Sequence, residues 1–271
     1  MTSVERRGPF MNKPASKDIL KVKPPPEYPP EDGRYLRGND FSPAAVVVLL
    51  HTYYDRIPEM LEKLAKVAIE SGAALAGMLQ TENIGIEKIV CNIVANPNIK
   101  YVILCGVESA GHTPGHAFRC FVESGVDNRR NIIGCKSPTP YLYNISPEAI
   151  DRFRKQVRLV DLVRDDERRL RIDPEVLKQA IWACYQEKPT RFLNYTLHDL
   201  GAYPELAICG KITWRIEQPW AVHSEEEDQK MKEIAEAALK VHRKETKEKL
   251  SEEGPALIDL LFPKRTRREK P

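Results

Sequence analysis

The chain has 271 residues, of which 42% are hydrophobic and 30% are charged. This length allows one or two domains, and the apolar content is enough for a sizeable core, which indicates a globular protein. The formal net charge is only +3, so no global field favours nucleic acid or an anionic membrane.

Targeting and redox signals point to an ordinary cytoplasmic chain. The longest aliphatic run, AAVVVLL from Ala44 to Leu50, is far shorter than the ~20 residues of a membrane span. A secretory signal requires an apolar stretch after its basic residues, and the basic residues near this N-terminus are not followed by one. The six cysteines include no CxxC pair, which favours buried, reduced thiols over disulfides or a zinc site.

Residues 1–32 are expected to form an extended arm. They contain the run KPPPEYPPEDG, and proline is excluded from helix interiors because it lacks a backbone donor and clashes with the preceding turn. A proline-rich segment of this kind predicts neither a helix nor a central strand.

After the arm, apolar runs and helical patterns alternate. AAVVVLL is typical of a buried strand, and apolar residues at helical spacing then continue to Gly72. A short strand AALAG, a helix over residues 84–95, the strand YVILC and a helix over residues 116–124 follow in turn. The glycine after residue 124 and the Asn-Pro pair after residue 95 are common stop signals.

The same rhythm continues as far as residue 185. NIIGC is predicted as a strand, and Ser146 with Pro147 as the cap and first turn of a helix. VRLVDLV is strand-like, and Asp173 with Pro174 begins another helix. Residues 33–185 therefore predict an α/β domain, in which a mostly parallel sheet carries helices on both faces.

The rhythm breaks over residues 186–222, where ELAICGKITWRIEQPW is interpreted as a strand pair or an irregular strand. Residues 223–271 are expected to form a long charged helix, which starts with a capping-box pattern at Ser224 and Glu227, and a basic tail. An apolar stripe from Met231 to Val241 lies on this helix. It either packs on the preceding domain or meets a partner.

Two unusual loops follow predicted strands, and ligands of parallel sheets bind beyond the carboxyl ends of strands. One loop, TENIGIEK, begins with Thr81, Glu82 and Asn83. The other, GVESAGHTPGH, has three glycines that would let backbone approach a large flat ligand closely: Gly106, Gly111 and Gly115. Nucleotide binding is weakly supported, because the sequence contains neither GxGxxG nor a GxxxxGK[ST] loop.

Two histidines lie in the second loop, and their spacing does not assign them. For His112 a ligand role and a surface role both stay open, and for His116 a partly buried or capping role is favoured. An alternative transferase or hydrolase with either histidine as a base would need a nucleophile. Ser109 and Thr113 are the candidates, but the chain has no GxSxG elbow.

Three segments carry a family resemblance over residues 33–165. They are GRYLRGNDFSPAAVVVLL, GAALAGMLQTENIGIEKIVCNIVANPNIKYVILCGVESAGHTPGHAF and NIIGCKSPTPYLYNISPEAIDRFRKQVRLVDLV. The chain resembles the A-type subunit of tetrahydromethanopterin S-methyltransferase, most specifically in TENIGIEK, NPNI and the CG-x-E-x-x-GH-x-x-G pattern. This resemblance implies a Rossmann-like, doubly wound domain that carries a cobamide, a corrinoid whose cobalt accepts a methyl group from methyltetrahydromethanopterin and passes it to coenzyme M.

The family's histidine ligand falls on His112 of this chain. A neutral imidazole is a good ligand for cobalt, and methyl transfer is expected to make and break its bond to the metal. Glu108, Ser109 or a loop carbonyl is expected to orient the ring. The other candidate cofactor contacts are Thr81, Glu82, Asn83, Gly106, Glu108, Gly111, Thr113, Gly115, Lys136, Ser137 and Pro138. For the first three of these residues a purely capping role stays open.

The resemblance also implies partners, namely subunits that donate and accept the methyl group, and a methylated pterin or another one-carbon donor. Family members end in a membrane-anchoring helix and work in a sodium-pumping complex, whereas this chain continues into KITWRIEQPW and a charged helix. Pro114 and His116 also depart from the family pattern. Donor, acceptor and sodium coupling stay open, as does the alternative of a binding or scaffold protein that retains the fold without a corrinoid.

Overall fold

A computed structural model describes residues 20–51, 57–109, 111–163 and 170–212. The strands are β1 (Tyr35–Arg37), β2 (Ala44–Leu49), β3 (Leu75–Leu79), β4 (Tyr101–Gly106), β5 (Arg158–Asp161), β6 (Thr190–Phe192) and β7 (Tyr195–Leu197). The helices are α1 (Glu59–Glu70), α2 (Ile84–Val94), α3 (Pro114–Ser124), α4 (Pro147–Gln156) and α5 (Pro174–Cys184), with a 3-10 turn at Leu170–Ile172. The predicted charged helix of residues 223–271 lies outside the described residues.

Five strands form one sheet in the order β1-β3-β2-β4-β5. β3, β2, β4 and β5 are mutually parallel, and only β1 runs antiparallel to its neighbour. The prediction of an α/β fold with a mostly parallel sheet is therefore confirmed. The chain leaves β2 toward β3 on one side and later leaves β4 toward β5 on the other. The carboxyl ends of β2 and β4 thus meet where ligands bind in open α/β sheets.

Alternate residues of the central strands face two helical layers. Val46 and Ile103 belong to one core cluster with Leu61 of α1 and Ile181 of α5. Since neighbouring residues of a strand point to opposite faces, Val47 faces the other layer, where it lines a cavity together with residues of α2. α4 packs on α2 and, through a cluster of three buried phenylalanines, on α3.

Two predicted helix starts are confirmed by their hydrogen bonds. The Ser146 hydroxyl accepts a hydrogen bond from the backbone N–H of Ala149 at 3.1 Å, and a proline occupies the first turn. The Asp173 carboxylate accepts from the N–H of Glu175 at 2.9 Å. Each cap satisfies a donor that the first turn of a helix would leave without a partner.

The predicted strand NIIGC is wrong. Residues 131–135 lie in the connection between α3 and α4, where only single bridges join Ile132 to Val126 and Asn131 to Tyr141. Gly134 has a φ of 76°, outside the extended region that a strand requires. The apolar residues of this segment are typical of a strand, but they pair with no neighbouring strand beyond these single bridges.

Of the segment ELAICGKITWRIEQPW, predicted as a strand pair or an irregular strand, only residues 205–212 are described, and residues 205–210 are neither helix nor strand. A hairpin that was not predicted consists of β6 and β7 within TRFLNYTL, where Phe192 and Leu197 are buried against the α1 and α5 core. All the elements named above belong to one compact unit, Met1–Lys211. The tryptophan-rich residues 213–222 are outside the described residues.

The described part of the proline-rich arm, residues 20–32, is packed on the domain without forming a helix or strand. Tyr28 is only 2% exposed. The Asn98 side chain bonds both to the N–H and to the carbonyl of Val22, at 3.0 and 2.6 Å, and Asn92 does the same for Glu31 at 2.8 and 3.0 Å. These side-chain amides bond to the backbone of the arm in the way that the backbone of a neighbouring strand would. Among the described residues, no helix is both long and apolar enough to cross a membrane.

Candidate functional site

The loops after β3 and β4 meet through Glu82 and His112. Nδ1 of His112 lies 2.9 Å from Oε2 of Glu82. The Glu82 side chain is fully buried, whereas that of His112 is 35% exposed. Because a carboxylate only accepts hydrogen bonds, Nδ1 carries a proton in this contact, and in a neutral imidazole the lone pair is then on Nε2.

The other carboxylate oxygen of Glu82 is held by Thr139. Oε1 accepts hydrogen bonds from the Thr139 backbone N–H at 2.9 Å and from its hydroxyl at 2.8 Å. Asn83 donates to the same hydroxyl oxygen at 3.2 Å. With the His112 ring, three donors thus converge on one buried carboxylate, which compensates for the cost of removing it from water.

Glu108, a predicted orienting group for the histidine, has a different role. Its carboxylate accepts hydrogen bonds from the N–H groups of Gly115 and His116, at 3.0 and 2.8 Å, in the first turn of α3. It therefore caps the positive end of this helix. The group that orients His112 is Glu82, not Glu108 or Ser109.

Two of the predicted loop glycines make room for the protein itself. Gly106 has a φ of 94°, and an added Cβ would lie 2.7 Å from both the backbone N and O of Leu49. At Gly115 an added Cβ would lie 2.6 Å from a carboxylate oxygen of Glu108. The space that a Cβ would need is filled by protein atoms at both positions, so close packing within the protein is one reason for glycine there. Gly111 is exposed.

Thr113, directly after the histidine, has an unusual backbone conformation. Its φ of 43° and ψ of 50° are left-handed, a conformation that is costly for a β-branched residue. Its hydroxyl lies 2.8 Å from that of Ser137, which also donates to the Thr113 carbonyl at 3.3 Å. The 137–139 segment therefore holds both Thr113 and Glu82.

The structure brings together only some of the predicted site residues. Glu82, His112, Thr113 and Ser137 form one connected group, and Thr139 is a member that the sequence analysis missed. Its only signal was its place in KSPTP, within the family resemblance. Asn83 accepts from the N–H of Ile84 at 2.7 Å and so caps α2, and Lys136 and Pro138 are exposed beside the group.

A separate cavity of about 360 Å³ lies between α2 and the sheet. It is lined by apolar residues of β2, β3 and α2 and by polar residues that include Arg34, Lys88 and Thr81. Thr81 thus faces this cavity and does not join the hydrogen bonds that surround His112. Among the described residues, no group of three or more His, Cys, Asp or Glu side chains is placed to hold a metal ion.

The model of one protein family matches residues 21–192, and its description is the A-type subunit of tetrahydromethanopterin S-methyltransferase. This match covers more than half of the chain and includes every residue of the site. The chain belongs to this family. The description names one subunit, so family members work as parts of a multi-subunit methyltransferase.

Three curated relatives, all A-type subunits of this methyltransferase, give the extent of the similarity. The one numbered 1 in Methanothermobacter thermautotrophicus is 36% identical over 175 residues, which are 64% of this chain and 66% of the relative, just under two thirds of its length. The one numbered 2 in the same organism is 37% identical over 196 residues, which are 72% of this chain and 92% of the relative. The relative from Methanopyrus kandleri is 37% identical over 216 residues, 79% of this chain and 73% of the relative.

Proposed function

We propose that this methyltransferase subunit is a corrinoid carrier protein, in which Nε2 of His112 would coordinate the cobalt of a bound cobamide. The observation that carries this proposal is the 2.9 Å contact between His112 Nδ1 and the fully buried Glu82. With Nδ1 bonded to Glu82, Nε2 is the nitrogen of this ring that could bind a metal at the carboxyl edge of the sheet.

The site's donor chemistry fits this group. A metal-bound histidine almost always donates its second ring N–H to a carboxylate or a carbonyl, which fixes the ring and increases the basicity of the coordinating nitrogen. Glu82 supplies that carboxylate. A neutral imidazole suits cobalt, and a single protein nitrogen is sufficient when a macrocycle supplies the equatorial nitrogens.

The residues of this chain hold and tune the ligand. Glu82 keeps the proton of His112 at Nδ1, and the two donors of Thr139 keep the carboxylate aimed at the ring. When bound, the cobamide supplies the cobalt centre that takes up and releases the methyl group. The Glu82 carboxylate would increase the basicity of Nε2 by accepting the proton-bearing Nδ1 of the same ring.

The remaining assignments follow from the family and the loops. We propose that Thr113, Ser137, Lys136 and Pro138 contact the corrin rim, because Thr113 follows the histidine and bonds to Ser137, and Lys136 and Pro138 are exposed on either side of Ser137. The strand order and the two helical layers support a Rossmann-like, doubly wound arrangement. The relatives' names contain tetrahydromethanopterin and an S-methyl transfer, which supports a methylated pterin as the source and a thiol, coenzyme M, as the acceptor, through partner subunits.

A binding experiment tests the carrier function. The whole chain is mixed with hydroxocobalamin, and unbound cobamide is removed by gel filtration. We expect the protein to retain the cobamide with a visible spectrum shifted from that of the free compound, because the imidazole of His112 would replace one of the ligands that the free cobamide has on cobalt. His112→Ala should lose this shift, whereas His116→Ala should keep it. No retained cobamide in the parent protein would overturn the proposal in favour of a scaffold without a corrinoid.

A further inference from the structure

A second group of reactive side chains lies on the other side of the 134–137 segment. His116 and Cys120 are one turn apart on α3, and the sulfur of Cys120 lies 3.7 Å from Nε2 and 3.9 Å from Nδ1 of the ring. The same sulfur lies 3.6 Å from the carbonyl oxygen of Gly134, the residue before Cys135. The Cys120 sulfur therefore lies against the backbone that leads into Cys135.

Cys120 and Cys135 differ from most of the other cysteines. Both are free thiols and both are partly exposed, whereas Cys91, Cys105 and Cys184 are buried. Burial raises the pKa of the Cys120 thiol, and the nearby Cys135 raises it further. The two sulfur groups thus interact electrostatically, and Cys120 stays protonated at neutral pH.

We propose that Cys120 and Cys135 form a redox-active thiol pair, which closes to a disulfide by exchange with a low-molecular-weight disulfide. Protein disulfides need the sulfurs at about 2.05 Å, so the segment that carries Cys135 has to move toward α3. Gly134 is exposed and an added Cβ there would meet nothing within 4 Å, so no packed neighbour blocks the segment on that side. Nε2 of His116 accepts a hydrogen bond from the backbone N–H of Lys136 at 3.4 Å, and movement of the segment that carries Lys136 frees this nitrogen to accept the proton of Cys120.

The exchange proceeds in two balanced steps. The thiolate of Cys135 attacks one sulfur of the small disulfide, whose S–S bond breaks, and the released thiolate takes up the proton that Cys135 lost. Cys120 then gives its proton to His116 and attacks the sulfur of Cys135, releasing the second small thiolate, which His116 protonates. Two protein thiols are oxidised to one disulfide, and one small disulfide is reduced to two thiols.

A hydrogen-bond chain connects this pair to the histidine loop. The Cys135 thiol donates to the Ser137 hydroxyl at 3.2 Å, and that hydroxyl lies 2.8 Å from the hydroxyl of Thr113. A disulfide has no S–H, so oxidation removes the first donor of this chain and pulls Ser137 away from the left-handed Thr113. The effect on His112 rests on the proposed cobamide function, whereas formation of the disulfide does not.

The test equilibrates the whole chain with glutathione disulfide, alkylates the free thiols after unfolding and maps the linked peptides by mass spectrometry. We expect the parent protein to lose two alkylatable thiols and to link Cys120 to Cys135 within one molecule. Cys209→Ser is the matched control, because Cys209 is exposed, and it should give the same product. Cys120→Ser should stop at a mixed disulfide between Cys135 and glutathione.

Several outcomes would overturn the pair. The proposed pair is wrong if the parent protein forms only glutathione adducts, or if a disulfide to Cys209 forms in place of the Cys120–Cys135 disulfide. His116→Ala should retain the mixed disulfide several-fold longer, and closure as fast as in the parent would remove His116 from the mechanism. Oxidised protein should bind hydroxocobalamin more weakly than reduced protein, and equal binding would overturn the link to His112 while leaving the disulfide intact.

Discussion

Glu82 and Thr139, 57 residues apart in the chain, are joined by two hydrogen bonds to one carboxylate oxygen, at 2.9 and 2.8 Å. The second oxygen of the same carboxylate holds His112. The orientation of the imidazole and the position of the 137–139 segment therefore depend on one buried acceptor.

Thr139→Val should weaken the hold on the Glu82 carboxylate while leaving the hydrogen bond from the backbone N–H of residue 139 in place. It removes the hydroxyl donor, so we expect a loss of about 1 kcal/mol in the free energy of unfolding, measured with urea. Glu82→Gln should cost more, about 1–3 kcal/mol, because an amide has only one acceptor oxygen for donors on two sides. Additive effects in the double variant would contradict the direct coupling of the two side chains.

Glu108→Ala should separate helix capping from histidine positioning. Loss of its two hydrogen bonds to α3 should reduce stability by about 0.5–2 kcal/mol. The nitrogen NMR shifts of the His112 ring, which report the hydrogen bond at Nδ1, should not change, whereas Glu82→Gln should change them. A similar shift from Glu108→Ala would show that Glu108 also orients the ring.

Substitutions at Gly106 and Gly134 can separate the cost of a positive φ from the cost of a steric clash. Both have positive φ, 94° and 76°, but an added Cβ at Gly106 meets Leu49 backbone atoms at 2.7 Å, whereas at Gly134 it meets nothing. Gly134→Ala should therefore cost about 1–2 kcal/mol from conformation alone. Gly106→Ala should cost clearly more or prevent folding, as judged by thermal unfolding, and equal costs would contradict the close approach of β2 and β4.

Glu87 on α2 should make stability depend on pH. Burial raises its pKa from 4.5 to about 6, although Asn144 donates to both carboxylate oxygens, at 2.7 and 2.8 Å. The folded state thus binds this proton more tightly than the unfolded state. The stabilisation is complete below pH 4.5 and is lost as the pH rises through about 6.

The measurement compares the parent protein with Glu87→Gln. Across this pH window the parent should lose about 2 kcal/mol more of its unfolding free energy than the variant, since one pKa unit is about 1.4 kcal/mol. Parallel pH profiles for the two proteins would show that Glu87 has no shifted pKa in the folded state.

Local chemistry explains what could be predicted from the sequence. The helix starts at Ser146 and Asp173 depend on side chains that bond to backbone two or three residues away, and buried strands such as AAVVVLL are apolar throughout. NIIGC was misassigned because its apolar residues suit a strand, but a strand also needs a partner, which only the fold provides. The arm shows the same limit, since Asn92 and Asn98 contact it from far along the chain.

The site was predictable only in part for the same reason. The family pattern pointed to His112, and the neighbouring Glu108 was the natural choice for its partner. The partner is Glu82, 30 residues earlier, which becomes adjacent only when β3 and β4 flank β2 in one sheet. Glycine spacing did not reveal that Gly106 and Gly115 accommodate protein atoms.

The most direct test of the central claim is electron paramagnetic resonance of the cobamide-loaded protein in its Co(II) form. Protein grown with isotopically labelled histidine should show a changed nitrogen hyperfine splitting, because a histidine nitrogen binds the cobalt. His112→Ala should lose this histidine-derived splitting, and His116→Ala should retain it. Persistence of the splitting in His112→Ala, or a spectrum of the parent that does not respond to the label, would contradict His112 as the axial ligand.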